Sequence, residues 1–144
     1  MRKGLLIEDD LDGLNRAKRC APNQETLDAY NAPDIEWTWV KTYDAFCKHI
    51  LKHGIPDVIA FDHDLDDSAY SLWHSHKGYV TEDINYDEYK EKTGYHCAHF
   101  LVNLCMDSNI KLKAEIYSHS MNVKGRENIL GLISNFKKHQ AANL

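Results

Sequence analysis

Three short apolar runs in this sequence stop at residues that can do chemistry. Val58-Ile59-Ala60-Phe61 runs into Asp62, His63 and Asp64, and Gly4-Leu5-Leu6-Ile7 runs into Glu8, Asp9 and Asp10. The third run, residues 113–117, gives way to Ser118, His119 and Ser120. Carboxylates brought together from two strand ends suit a hard divalent cation such as Mg²⁺ or Mn²⁺, which prefers oxygen ligands. Glu8, Asp9 and Asp62 are the expected metal ligands, with Asp10 and Asp64 in reserve. Such an ion would neutralise a bound phosphate and polarise its oxygens. Imidazole titrates near neutrality, so His63 and His119 are the candidate general acid and base, and Asp64 is placed to orient a histidine. Each feature also has a plainer explanation. Acids near helix starts cap helices or pair with lysine, and a single histidine can serve only as a hydrogen-bonding group.

These side chains share one site only if the elements carrying them line up. The uninterrupted apolar run at 58–61 is the pattern of a strand buried on both faces. Residues 3–8, 35–41 and 113–117 supply the other predicted strands, the second being rich in β-branched and aromatic residues. Between them lie helical patterns. Tyr43, Phe46, Cys47, Ile50 and Leu51 form an amphipathic stripe after a Thr42 cap, ended by Gly54 and Pro56. Ala98, Leu101, Val102 and Cys105 form the inward face of a helix opened by Thr93-Gly94. Ile129, Leu132, Ile133 and Phe136 do the same for a last helix preceded by Gly125, with a frayed tail after Lys138. The span from Leu11 to Ala32 is interrupted by Pro22 and several Asn, and a short helix with Leu11, Leu14 and Ala17 on one face, then an irregular loop, is expected there.

Strands alternating with helices predict an α/β fold, a small doubly wound and mainly parallel sheet of about four strands flanked by helices. In such sheets ligands bind outside the carboxyl ends of the strands. The acids after the first strand, Asp62-His63-Asp64 after the third and His119-Ser120 after the fourth are therefore expected to converge on one edge. Ser120, Asn122 and Gly125 precede the last helix, whose free N–H groups and dipole would favour a phosphate.

The 144 residues fit a single domain, with a net charge of −5 and a sequence pI of about 5.9. That balance argues against nucleic-acid binding through a basic surface and leaves room for a small phosphorylated ligand beside a metal ion. No apolar run approaches a membrane span or a signal-peptide core, so a cytoplasmic protein is expected. Scattered Cys20, Cys47, Cys97 and Cys105 form no CxxC pair and read as free thiols. Residues 66–92 carry Tyr70, Trp73, Tyr79, Tyr86 and Tyr89 without clean periodicity, the pattern of a long insert acting as a lid or binding loop. The pairs His74/His76 and His96/His99 lack an acid or cysteine at diagnostic metal spacing and are expected to be solvent-exposed.

The chain resembles a response-regulator receiver domain, a flavodoxin-like fold. Leu5-Leu6-Ile7-Glu8-Asp9 matches that family's first strand and acidic pair, and Asp62 falls where it carries a phospho-accepting aspartate. A receiver has a fifth strand ending in a lysine, which this sequence lacks, arguing against ordinary phosphotransfer. A closer resemblance is to the receiver-derived cyclic-phosphate processing domains. Their pattern is present as Asp62-His63-Asp64-Leu65, Thr93-Gly94-Tyr95 and His119-Ser120-Met121-Asn122-Val123-Lys124-Gly125, in that order. The departures are the insert and Glu8, where that group commonly has Asp. This resemblance implies a metal-assisted phosphoesterase acting on a cyclic phosphate or cyclic nucleotide, with Thr93 and Gly94 joining Ser120, Asn122 and Gly125 in substrate binding. The alternatives are a non-catalytic receiver-like binding or signalling module, phosphorylated on Asp62, and a protein that sequesters a cyclic nucleotide uncleaved.

Overall fold

The computed structural model describes residues 1–63 and 93–142. The insert at 66–92, Asp64, Leu65 and the His74/His76 pair lie outside the described residues. Strands β1 (Arg2–Ile7), β2 (Ile35–Val40), β3 (Val58–Phe61) and β4 (Glu115–Ser118) form an all-parallel sheet in the order β2-β1-β3-β4. Every residue of β3 is buried, as expected of a strand covered on both sides.

Helices α1 (Leu14–Arg19) and α2 (Gln24–Tyr30) cover one face, where Ala17 and Tyr30 pack on Leu6 and Ala60. Helices α3 (Tyr43–His53), α4 (Gly94–Asp107) and α5 (Val123–Ala142) cover the other, over Leu5, Ile7, Ile59 and Phe61. This division follows from strand alternation, which sends successive residues of β1 and β3 to opposite layers. The second layer holds most of the core, including Phe46, Ile50, Leu101, Ile129 and Ile133. Each such fully buried aliphatic or aromatic side chain contributes roughly 1.5–3 kcal/mol relative to exposure. No helix among the described residues is long and apolar enough to cross a membrane.

Several local expectations change. The span 11–32 holds two helices, because the Asn23 side chain accepts the Thr26 N–H at 2.8 Å and starts α2. Leu11 and Leu51 are exposed, not part of the buried stripes. The chain after Lys138 remains helical to Ala142, and β4 begins at Glu115, two residues later than expected. These last two differences have one cause. Gln140 brackets Leu112, accepting its N–H at 3.0 Å and donating to its carbonyl at 2.8 Å. Lys137 Nζ donates to the Ala114 carbonyl at 2.6 Å. The backbone before β4 is thus satisfied by the end of α5 rather than by the sheet ladder.

Candidate active site

The parallel register builds the site. Ile7 stands beside Phe61 and Phe61 beside Ser118, so the next residues, Glu8, Asp62 and His119, form a single row at the carboxyl edge. Backbone bonds carry the ladder through that row, from Glu8 N–H to the Val40 carbonyl (3.0 Å), Asp62 N–H to the Ile7 carbonyl (3.0 Å) and His119 N–H to the Phe61 carbonyl (3.1 Å). By alternation the row faces the α1/α2 side. Ligand atoms of Glu8, Asp62 and His119 lie within 4.8 Å of one another.

Hydrogen bonds hold the row in place. Glu8 Oε1 meets His119 Nε2 at 3.2 Å, and Glu8 Oε2 accepts the Asp10 N–H at 3.2 Å. Trp39 Nε1 donates to the Glu8 carbonyl at 2.7 Å, pinning the loop after β1. On the far side of the imidazole, Tyr30 Oη lies 2.8 Å from His119 Nδ1. Glu8, His119 and Tyr30 are each at most 2% exposed.

The titration behaviour follows from this geometry. Burial pushes the His119 imidazole below its ordinary value, against the pull of Glu8. Burial would raise the Glu8 carboxyl, but the His119 hydrogen bond and charge, a hydrogen bond with Asp62 and the Asp10 amide together hold it below its ordinary value. Burial first, and then the charges of Asp62 and Glu8, keep the Tyr30 phenol well above its ordinary value, so it remains a hydroxyl. An anionic Glu8 beside a neutral imidazole fixes the tautomer by chemistry. His119 Nε2–H donates to Glu8, and Tyr30 O–H donates to Nδ1. Burial, followed by the charge of Glu8, pushes the half-buried Asp9 carboxyl up to about 7.

This donor set fits a divalent cation. Carboxylate oxygens and an imidazole nitrogen converge, and the adjacent Asp9 carboxyl, raised to about 7, favours a proton that a cation would replace. The Tyr30 hydroxyl can donate or accept, so His119 Nε2 can present either an N–H to Glu8 or a lone pair to such an ion. Asp10 is oriented elsewhere. Its Oδ1 accepts the Asp12 N–H at 2.9 Å and its Oδ2 pairs with Arg16 Nη1 at 3.2 Å.

Both glycine steps lie against the Asp62-His63 segment. A Cβ on Gly94 would overlap the Asp62 carbonyl oxygen, and the Gly94 N–H already donates to the His63 carbonyl at 2.7 Å. A Cβ on Gly125 would overlap the His63 imidazole. Gly125 is in the first turn of α5, not before it, since Asn122 Oδ1 caps the helix by accepting the Gly125 N–H at 2.9 Å. His63 is fully buried and follows Asp62, so it faces the α4/α5 side, opposite the Glu8–Asp62–His119 row. Buried Ser120 accepts the Asn122 N–H at 3.1 Å. Asn122 Nδ2 is a buried donor with no partner among the described residues. Thr93 is fully buried, and its N–H donates to Nδ1 of His96, which is half-buried rather than exposed.

The family model of the cyclic-phosphate processing receiver domain matches residues 25–135. The chain belongs to that family. No curated protein and no solved structure matches it. In this cyclic-phosphate processing receiver domain Gly94, His119 and Gly125 all lie against the Phe61-Asp62-His63 segment, while Glu8 and Asp9 precede the matched span.

Sequence reasoning missed Tyr30 and Arg16. Tyr30 had an available signal, the Asn23 cap with Glu25 in the first turn of a short helix before Asn31-Ala32-Pro33. Arg16 carried none, because its partners include Met121, 105 positions away.

Proposed function

We propose that this receiver domain is a metal-assisted phosphoesterase that opens a cyclic phosphate ester by hydrolysis. The observation that carries this is the convergence of Glu8, Asp62 and His119 from three strand ends of a cyclic-phosphate processing receiver. Glu8 and Asp62, with Asp9 beside them, would hold a divalent cation, Mg²⁺ or Mn²⁺, leaving His119 Nε2 for proton transfer. When bound, that ion supplies charge neutralisation and polarises the P–O bonds.

The remaining work falls to the chain. A water oxygen forms a new bond to phosphorus while one ring P–O bond breaks. One water proton leaves as the nucleophile attacks, and the departing alkoxide gains one, so protons balance. His119 exchanges that proton at Nε2, with Tyr30 following the ring's tautomer at Nδ1. The Asn122 Nδ2 donor is assigned to a phosphoryl oxygen. Gly94 and Gly125 contribute close packing, since their N–H groups already have partners. His63 is a positioning residue wedged beneath α5.

The test is a panel of 2′,3′- and 3′,5′-cyclic nucleotides and simpler cyclic phosphodiesters, followed by ³¹P NMR with Mg²⁺. At least one member is expected to be ring-opened, and Asp62→Asn and His119→Ala are each expected to abolish turnover. Turnover unchanged in both variants would refute the assignment. A ligand bound tightly but recovered intact would make the protein a sequestering module instead.

A further inference from the structure

The Arg16 guanidinium bridges two of the loops that make the site. Its Nη1 donates to Asp10 Oδ2 at 3.2 Å in the loop after β1, and its Nη2 approaches Met121 Sδ at 3.7 Å in the turn after His119-Ser120. Its Nε donates to Cys20 Sγ at 3.0 Å, fixing the plane of the group from below. The hydrogen bond to Cys20, and then the charges of Glu8 and Asp62, raise the guanidinium above its ordinary value against the burial that would lower it, while its own charge helps lower His119. Its partner Asp10 is itself bound through its N–H to Glu8 Oε2 at 3.2 Å, and Met121 follows His119 by two residues, so Arg16 stands beside the strand-end row, with its side chain 34% exposed.

Asp10 occupies only part of this cation. Each terminal nitrogen carries two N–H groups, and Asp10 takes one of them on Nη1. A thioether is a weak acceptor, so Nη2 has donor capacity left among the described residues. A planar fork, held on three sides and open on one, is the form in which arginine binds phosphate oxygens bidentately. An arginine present only to balance Glu8, Asp9 and Asp62 would be expected to pair with one of them directly. Its direct acid partner is Asp10, whose carboxylate is oriented away from the row.

We infer that Arg16 is the anion anchor of this site, holding the non-bridging phosphoryl oxygens of the substrate against the Glu8–Asp62–His119 row. The inference rests on the edge being a phosphate-ester site, and it adds the residue that selects a dianionic or monoanionic phosphoryl group over a neutral ester. Arg16 lies before the span matched by the family model, on α1.

The probe is inorganic phosphate, titrated calorimetrically into the protein with and without Mg²⁺. Arg16→Ala is expected to weaken phosphate binding by about 10–100-fold, as for loss of a hydrogen bond to a charged group. Arg16→Lys keeps the charge and the aliphatic stem but loses the fork, and is expected to lie between the two. The fold is monitored by thermal unfolding of the same samples. Phosphate binding in both variants equal to that of the unaltered protein overturns the inference, as does an unaltered protein that binds no phosphate. If Arg16→Ala unfolds, Arg16→Lys decides alone, with an undiminished phosphate affinity counting against the anchor. Phosphate bound through Arg16 by a protein that opens no cyclic phosphate upholds the anchor and refutes only the hydrolysis.

Discussion

Tyr30→Phe isolates one hydroxyl at the heart of the site. Tyr30 is 1% exposed, and its Oη is 2.8 Å from His119 Nδ1. Phenylalanine keeps the ring and its edge-on contacts with Trp37, Tyr117 and His119, so no sizeable cavity forms. What disappears is the donor to a nitrogen buried with the rest of the ring. Leaving a buried acceptor without a partner costs about 1–3 kcal/mol. At about 3 °C per kcal/mol for a domain of this size, the melting temperature should fall by about 3–9 °C. Urea unfolding should show a lower midpoint with an unchanged slope, because the surface exposed on unfolding is the same. Activity should fall further than stability. Groups that orient a catalytic or metal-binding histidine are worth about 10–100-fold in activity or metal affinity. The loss should appear in kcat rather than KM, and in ¹⁵N shifts of the imidazole, which report how the two tautomers share the ring. A variant as stable as the parent to within about 0.5 kcal/mol, with unaltered imidazole shifts, would refute the donor role of Tyr30.

Asp9 gives a pH dependence with a definite sign. Its folded carboxyl is raised to about 7 from an ordinary value of 3.8, so the folded state holds the proton more tightly. The metal-free domain should therefore lose stability as pH rises from about 4 to about 7. Asp9→Asn mimics the protonated acid and should abolish that loss, measured by urea midpoints at pH 5 and 8. His119 acts in the opposite sense. Burial lowers its folded value below 6.5, so acidification below that point also costs stability, and the two slopes partly cancel in the parent protein. Gly125→Ala must displace the His63 imidazole and should cost about 1–3 kcal/mol, read as a lowered melting temperature. Gly94→Ala meets backbone instead of a side chain and should lower it more. Equal melting temperatures for the two variants would count against the packing of both helix starts on Asp62-His63.

The parallel sheet and its chemical edge were legible because short apolar runs ending in charged residues carry their own signal. Parallel topology then brings the strand ends together regardless of sequence separation. Alternation would also have placed His63 on the face opposite Asp62, since adjacent residues at a strand end point to opposite layers. Tyr30 carried only the Asn23 capping signal, because the seven residues of α2 are too few to show a helical period. The persistence of α5 past Lys138 was hidden for another reason. It depends on Gln140 and Lys137 finding backbone partners at 112 and 114, a long-range pairing with no local signature.

The order of strands also dictates how long each side chain must be. β3 stands between β1 and β4, so Glu8 and His119 sit two strand spacings apart, about 9–10 Å along the sheet. They nevertheless touch at 3.2 Å, arching over the short Asp62 carboxylate on the central strand. Only long arms on the two strands flanking β3 and a short one on β3 itself can close such an arch. Glutamate at position 8 is therefore matched in reach to histidine at 119, and Glu8→Asp would withdraw the arm by one bond, about 1.5 Å. That retreat would open the Glu8–His119 contact while leaving every charge in place.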